Sequence, residues 1–522
     1  MAETKMINLT IEGRPVSVPA GTSILEAAKT VGILIPHYCY HPALPVVGNC
    51  RMCQVEVEKM PKLAPSCATA VAEGQVVHVY APKALEARKG VLEMLLINHP
   101  LDCPICDKSG ECELQDYTYQ EGRGEGRLRE GKRFNPAEDF GGDVLYTTTR
   151  CILCTRCVRF MEDVAHDAVL TVTERGDRAV IGKFEGRDLT HAWAGNVIYV
   201  CPVGALLSKD SLNKVRAWEL DRTASICSGC SQGCNITVET RDNMVVRLQP
   251  RPNADVNRYF MCDQGRLDYR WMNRQDRVEL PMVRQGATLA TAEWEQATGE
   301  AAALVSGKRA FVLASPNLPN EALYLLSRLA KQTGGAGAFR VRQGEEAPLP
   351  GVPDLARRAD LAANGRGAEL FGFRRDDAPL SQMKSGDVLI VADEELAGLD
   401  APDVARAGAI IVIGTTLPAW ARHAAAVVLP ITNTVEQEGT FTNLRGRVQR
   451  FRQAKSGPGV SRASWLVVAD LLAAVGEPAN YMLASEVFDA LAASHPEFGG
   501  MSYDSLGLNG VLVKSATAGA TA

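Results

Sequence analysis

Residues 6–19, MINLTIEGRPVSVP, alternate apolar and polar side chains with period two. That pattern predicts two short strands joined by a turn at Glu12-Gly13-Arg14. The period then changes: Thr22 or Ser23 can cap a helix through SILEAAKTVG, stopped at Gly32. A loop follows, then a strand at QVEVE and a last strand at QVVHVY. From Ala84, the run ALEARKGVLEMLLINHP has helical spacing, with Leu85, Val91, Leu92, Leu95 and Leu96 able to form an apolar face. It predicts a helix that ends at Pro100 and presents His99 in its last turn. Residues 121–136, EGRGEGRLREGKRFNP, lack any period and predict a solvated loop. A small β-hairpin unit is expected at NITVETRDNMVVRLQPRP. After about residue 280 the chain turns Ala-rich. KRAFVLASP, GDVLIVAD and AGAIIVIGTT are short apolar runs between breakers, and NEALYLLSRLAKQTG is a helix, which together predict an α/β region. The tail, VLVKSATAGATA, is expected to fray.

The cysteines change this picture. All fifteen lie between Cys39 and Cys262, and none follows. They form four groups: Cys39, Cys50, Cys53, Cys67; Cys103, Cys106, Cys112; Cys151, Cys154, Cys157, Cys201; and Cys227, Cys230, Cys234, Cys262. Thiols at CxxC spacing in one half of an intracellular chain point to metal sites rather than to disulfides or to scattered core cysteine. The second group is one donor short. Three thiols within ten residues demand a fourth ligand, and a neutral imidazole at His99 is a better iron donor than Asp102 or Asp107. Sixteen ligands then make four sites with no thiol left over. Zinc is the rival metal for four thiolates. His37 and His41 flank Cys39 and read as loop-packing residues.

Two strands, a helix and a cysteine-bearing loop resemble the β-grasp fold of plant-type ferredoxins, though C-x10-C-x2-C-x13-C has a longer loop than theirs. That longer loop resembles the [2Fe–2S] domains of respiratory complex I and iron hydrogenases. The run H-x3-C-x2-C-x5-C resembles their [4Fe–4S] sites held by one histidine and three cysteines. CILCTRC opens a bacterial ferredoxin motif whose fourth position holds Met161. Cys201-Pro202 looks like the end of a second motif, whose other positions hold His191, Ala194 and Val197. In two-cluster ferredoxins the fourth cysteine serves the other cluster, so a surviving site would take Cys151, Cys154, Cys157 and Cys201. Hydrogenase domains would retain all eight cysteines. The fourth group, C-x2-C-x3-C-x27-C, resembles the cluster domain of molybdopterin oxidoreductases. EQEGTFTNLRGRVQRF resembles a recurring stretch of that family, at Glu438, Gly439, Thr440, Asn443, Gly446, Arg447 and Gln449. Arg266 reads either as a solvated charge or as a partner that tunes the fourth site. With no Cys after Cys262 to ligate molybdenum, the C-terminal half reads as a cofactor-free remnant.

The order of sites resembles the large iron–sulfur subunits of bacterial NADH:quinone oxidoreductase (complex I). The resemblance implies an α+β/α/β multidomain chain. Its parts would be a β-grasp [2Fe–2S] domain (1–83), a one-His three-Cys [4Fe–4S] domain (84–123), a degenerate two-cluster ferredoxin domain (124–219), a small β [4Fe–4S] domain (220–276) and a shortened molybdopterin-oxidoreductase-like domain (277–522). It implies one [2Fe–2S] and three [4Fe–4S] clusters, no molybdopterin, and a relay rather than a catalyst in its own right. Electrons from NADH would arrive through FMN on a neighbouring subunit and leave through a ferredoxin-like subunit towards quinone, coupled to ion translocation by the complex. The implied partners are the flavin/NADH-binding, 2Fe–2S, ferredoxin-like and quinone-site subunits. The implied place is the cytoplasmic side of the bacterial inner membrane, peripheral. An electron-transfer subunit of a soluble NAD-linked hydrogenase or formate dehydrogenase is the alternative.

Composition narrows partners further. The 522 residues suggest three to five domains, and a net charge of −5 gives no reason to expect nucleic-acid binding. MAETKMINLTIEG lacks the apolar core of a signal peptide and carries acids unsuited to a transit peptide. The longest apolar run, Ala407–Trp420, is too short and too broken to span a bilayer. Arg51, Arg156 and Arg159 stand beside cluster cysteines as cations that would tune potentials.

Overall fold

The computed structural model describes residues 5–393 and 406–514, which divide into two units. Unit one comprises residues up to Leu220 with Leu349–Pro353, and unit two the remainder from Asp221.

Unit one opens with β1 (Met6–Ile11) and β2 (Arg14–Pro19), antiparallel through a turn with positive φ at Glu12 and Gly13. The period-two pattern decides the buried face: Ile7, Leu9 and Ile11 point inward with Val16 and Val18. Ser23 Oγ accepts from Glu26 N (3.2 Å) and so caps α1 (Ile24–Thr30), which buries Ile24, Leu25, Ala27 and Ala28 on the same core. β3 (Gln54–Val57), the short β4 (Ala64–Pro65) and β5 (Val76–His78) complete a five-stranded mixed sheet in the order β2-β1-β5-β3-β4. β4 carries no alternation that sequence could register.

α2 (Pro82–Leu96) ends earlier than its periodicity predicts. Ile97 caps it, and His99 stands beyond it rather than in its last turn. Its buried face is also narrower: Ala84, Arg88, Val91 and Leu92 are buried, whereas Leu85, Leu95 and Leu96 are only partly so. Arg88 is inaccessible because it pairs with Glu121 (2.7 Å) of α3 (Glu113–Glu121) and donates to Val79 O (2.7 Å). The stretch after α3 is exposed as expected, yet its charges are used. Arg127 pairs with Glu93 (2.7 Å), and Lys132 Nζ donates to Leu96 O (2.6 Å) and Ile97 O (3.1 Å) at the open end of α2.

Next come β6 (Ala137–Gly141) and β7 (Val144–Thr147), then α4 (Arg156–Arg159), which runs into a π-helical turn at Phe160–Val164. The hairpin β8 (Leu170–Thr173) and β9 (Val180–Lys183) follows, then α5 (Asn196–Val200) and β10 (Leu206–Ser208), which pairs with β7.

Unit two begins with an antiparallel meander of β11 (Asp221–Ile226), β12 (Asn235–Arg241) and β13 (Met244–Pro250). Its larger layer is a seven-stranded sheet. Gly337–Phe339, Ala310–Ala314, Val388–Ala392, Ala409–Gly414 and Val427–Pro430 run parallel, edged by the antiparallel pair Met282–Gln285 and Thr288–Thr291. Ala310–Ala314 and Val388–Ala392 are buried at every position, as strands covered on both faces require. The expected helix lies at Asn320–Gln332. The motif around Gly439 is a hairpin, Gly439–Thr442 with Arg447–Phe451. The fraying expected over 511–522 does not begin at its first residues, since Val511–Leu512 pairs with this hairpin; residues 515–522 lie outside the described residues. No described helix is long and apolar enough to cross a membrane.

Candidate metal centres

Each cysteine group is gathered in space, and each by a different local device. Cys39, Cys53 and Cys67 are 1–2% exposed. They sit on the loop after α1, just before β3 and after β4, and Cys39 N lies 3.4 Å from Cys50 Sγ. Hydrogen bonding between thiols dominates here: shared bonds to Cys50 and Cys67 hold Cys39 far below an ordinary thiol, while Cys50 and Cys67 are pushed far above. Four thiols this close cannot all ionise without added positive charge, which a bound metal would supply. His37 and His41 are bonded within their own loop: His37 Nδ1 meets Ile35 O (2.8 Å), and His41 Nδ1 accepts from Ala43 N (3.2 Å).

The second group lines one small cavity that takes in His99, Cys103, Cys106 and Cys112 together with Asp102, Gln115, Arg150 and Gly204. His99 Nδ1 is buried and has no hydrogen-bond partner, a state that metal ligation would relieve. Burial lowers this imidazole to about 4, so it is neutral at pH 7 and has a lone pair to give. The rival donor Asp102 is engaged by Arg150 Nε (2.9 Å) and Nη2 (2.8 Å). A Cβ at Gly204 would collide with Cys106 Sγ, so only glycine admits the thiol there. Burial raises Cys112 to about 11 and also raises Cys106; Cys103 is exposed.

The third cavity is lined by Cys151, Cys154, Cys157 and Cys201, with Tyr146, Ile181, Val203 and Leu206. Cys201 reaches it from the end of α5. Left-handed conformations at Leu153 and Thr155 curl the CILCTRC loop, and Leu153 N donates to Cys151 Sγ (3.3 Å). Burial first, then the neighbouring thiols, raise Cys154 to about 12 and Cys157 well above the usual range. At the positions where a second ferredoxin cluster would find its ligands, Met161 of the first motif and Ala194 and Val197 of the second are buried, and His191 Nδ1 accepts from Trp193 N (3.3 Å).

The fourth group belongs to unit two. Cys227 follows β11 and Cys234 precedes β12; the pairing of Ile226 with Asn235 and the bond from Cys227 N to Cys234 O (2.8 Å) bring them together. Cys262 opens the helix Asp263–Leu267, its Sγ accepting from Gly265 N (3.3 Å). A Cβ at Gly265 would stand 3.2 Å from Cys227 Sγ and 3.3 Å from Cys262 Sγ, so this glycine borders both thiols. Arg266 is 3% exposed, which rules out the solvated reading. Cys227, Cys230 and Cys262 also face a cavity of about 420 Å³ at the carboxyl ends of the parallel strands, bordered by Asn317, Asp393, Thr415 and Thr432. That is where open α/β sheets bind ligands. Arg277, which lines it, is committed to Glu436 (2.8 Å), and both side chains are buried.

Among the described residues no three His, Cys, Asp or Glu side chains are arranged to hold a metal ion. A tetrahedral zinc would need four donors converging at about 2.3 Å on one point. A polynuclear cluster asks for thiols on the walls of a cavity, the arrangement of the second and third groups.

Five family models match: the 2Fe-2S iron-sulfur cluster binding domain (4–81), the NADH-ubiquinone oxidoreductase-G iron-sulfur binding region (88–127), the ferredoxin-like domain of NADH-quinone oxidoreductase subunit 3 (141–207), the molybdopterin oxidoreductase Fe4S4 domain (220–274) and molybdopterin oxidoreductase (386–474). An NADH-quinone oxidoreductase G subunit of Rhizobium meliloti, the second of that type, is 42% identical over 332 residues, 62% of this chain and 39% of that protein. The corresponding G subunit of Rickettsia felis is 40% identical over 63% of this chain and 49% of its own length. The mitochondrial NADH-ubiquinone oxidoreductase 78 kDa subunit of Candida albicans is 45% identical over 58% and 42%. Over 62–63% of its length the chain is similar to NADH-quinone oxidoreductase G subunits. It spans 39–49% of the length of these relatives. A solved chain of an NAD+-reducing [NiFe]-hydrogenase covers 41% of this chain and 91% of its own, at 30% identity with a TM-score of 0.37.

The contacts made by the motif around Gly439 escaped sequence reasoning. Asn443 Nδ2 donates to Gln232 O (3.2 Å), Leu444 N to Ser231 O (3.0 Å) and Gln449 Nε2 to Gly233 O (3.1 Å). The hairpin that resembles the molybdopterin family thus holds the loop from Cys230 to Cys234. The motif was visible in the sequence, but its pairing with residues some two hundred positions earlier was not. Arg51, grouped with Arg156 and Arg159 by sequence, is exposed, whereas the other two are buried. Gln449→Leu should free the Gly233 carbonyl and selectively loosen the fourth site. We expect about four fewer iron atoms per chain by metal analysis, with the first three sites retained.

Proposed function

We propose that this chain is an iron–sulfur electron relay of an NADH:quinone oxidoreductase. The observation that carries the reading is the third cavity, where Cys201 joins Cys151, Cys154 and Cys157. The ferredoxin crossover supplies a reason for both the distant fourth thiol and the absent second set. Cys39, Cys50, Cys53 and Cys67 would hold a [2Fe–2S] cluster on a β-grasp domain (1–83). His99, Cys103, Cys106 and Cys112 would hold a [4Fe–4S] cluster (84–123), the third group a [4Fe–4S] cluster in a degenerate ferredoxin domain (124–219), and Cys227, Cys230, Cys234 and Cys262 another (220–276). Such clusters supply one-electron transfer when bound. The chain's own residues bury the thiols, donate N–H groups to sulfur and give the second site an uncharged ligand, which raises its potential. Domain 277–522 binds no molybdopterin in this reading, since it has no thiol and Arg277 is neutralised by Glu436.

Electrons from NADH would enter from an FMN-bearing neighbour with its 2Fe–2S partner, and pass through a ferredoxin-like subunit to the quinone-site subunits. The complex would couple this to ion translocation across the bacterial inner membrane, with this chain peripheral on its cytoplasmic side. The fourth site would serve its unit's fold more than transport.

The test is iron and sulfide content with EPR after anaerobic preparation. One [2Fe–2S] and three [4Fe–4S] clusters give about fourteen iron atoms. His99→Ala should remove or alter only the second site's signal. An unchanged signal would show the ligand assignment to be wrong, and colourless protein holding zinc would sink the relay. Co-purification with a hydrogenase or molybdenum subunit instead of membrane-arm subunits would favour the soluble alternative.

A further inference from the structure

Two buried cations on α4 reach the loops of all three donor sets in unit one. Arg156 and Arg159 are 4% and 6% exposed. Arg159 Nη2 donates both to Cys39 O (2.6 Å) and to Cys154 O (3.1 Å), one ligand from the first set and one from the third. Its Nη1 donates to Pro45 O (2.5 Å) and its Nε to Thr155 Oγ1 (3.3 Å). Arg156 Nη2 donates to Tyr40 O (2.7 Å), beside Cys39, and its Nη1 to Val200 O (3.3 Å), beside Cys201. It also pairs with Glu113 (3.2 Å), beside Cys112. Asn49 Nδ2, beside Cys50, adds a contact to Leu153 O (3.4 Å). Loops from each of the three donor sets in this unit are thus tied to a short helix rising out of the third motif.

The chemistry of the residue type fits that task. A guanidinium presents five donors in a rigid fork and cannot give up its proton, so it can satisfy carbonyls on two loops at once. Lysine would offer one flexible point charge. The hydrogen-bond partners of Arg159 are three carbonyls and a hydroxyl, with no carboxylate among them. A buried cation is costly unless negative charge lies near; the Cys154 and Cys39 sulfurs and Asp163 favour the charge of Arg159, against burial and the like charge of Arg156. Both sets become anionic when they bind iron, so one positive charge serves two sites.

We propose that Arg159, seconded by Arg156, is a positioning residue that clamps the first donor set against the third, fixing their separation and sharing its charge between them. This rests on the reading of both sets as cluster sites. The test uses the full chain with Arg159→Lys and Arg159→Gln, each compared with wild type. Lys keeps the charge and loses the fork. Amide exchange at residues 39–45 and 151–155 should quicken about tenfold or more, the scale of a lost charge-assisted bond. The magnetic interaction between the first and third EPR signals should weaken, with midpoint potentials held. Gln removes the charge, and the potentials of those two sites should fall while those of the second and fourth stay put. Unchanged exchange, coupling and potentials in both variants would overturn the proposal. Iron loss confined to the first and third sites would support it; uniform loss from all four would mean a general folding defect and refute it. Should wild type prove to hold no cluster at either site, the relay reading fails, while amide exchange still reports on the clamp. Arg156→Lys, made in parallel, should loosen Tyr40 and Val200 instead.

Discussion

Cys201→Ala should empty the third site, taking iron from about fourteen to about ten atoms per chain and abolishing one [4Fe–4S] EPR signal while the first-site signal persists. Cys201 shares a cavity with Cys151, Cys154 and Cys157, and α5 with Arg156 holds the preceding carbonyl of Val200. A three-thiol remainder would leave one iron without a protein ligand in a cavity closed by Ile181, Val203 and Leu206. His191 is the nearest ring donor in sequence, but its Nδ1 is engaged by Trp193 N and it does not line the cavity. His191→Ala should therefore leave the iron count at its wild-type value. The pair of variants separates the crossover assignment from any site built out of the second motif's own residues. Retention of all iron in Cys201→Ala would refute it.

How much of this was legible depended on whether a signal was local. The strands at Met6–Ile11 and Arg14–Pro19 were readable because one face is buried and the alternation is strict. The buried parallel strands were readable as short apolar runs between breakers. All four donor groups could be assembled on paper because CxxC spacing and the crossover rule are sequence facts. The end of α2 was misread. Nothing apolar marks the stop at Leu96, and the cap comes from Lys132, remote in the chain, donating to Leu96 O and Ile97 O. Gly204 could not be singled out, since its reason is a thiol that approaches from Cys106. Likewise the bonds of Arg159 to Cys39 O and Cys154 O are set by packing, although the arginine's place beside Cys157 had marked it as a cation of interest.

The hairpin carrying Gly439 and Thr440 has a second task away from the fourth site, and it makes unit two sensitive to pH. Glu321, in the first turn of the helix Asn320–Gln332, is fully buried. Its carboxyl oxygens accept from Thr440 N (3.0 Å), Thr440 Oγ1 (2.9 Å) and Tyr503 OH (2.9 Å). Asn320 Nδ2 donates to Thr440 Oγ1 and Thr442 Oγ1 (both 3.0 Å), so the polar cluster spans the helix, the hairpin and the C-terminal segment. Burial outweighs these bonds and raises Glu321 from 4.5 to about 7. The folded chain therefore keeps a proton that the unfolded chain releases between pH 4.5 and 7. Across that window the unfolded state binds fewer protons, so this group's contribution is full below about pH 4.5 and falls as pH rises, by about 3 kcal/mol at pH 7 and no further above it. Glu321→Gln keeps the shape and removes the titration. The difference in urea unfolding free energy, wild type minus Glu321→Gln, should fall by about 2 kcal/mol between pH 5 and 7.5 and then level off. Carboxylates elsewhere titrate in both proteins and cancel. A difference that stays flat over this range would mean that Glu321 is ionised throughout and that the bonds from Thr440 and Tyr503 outweigh its burial.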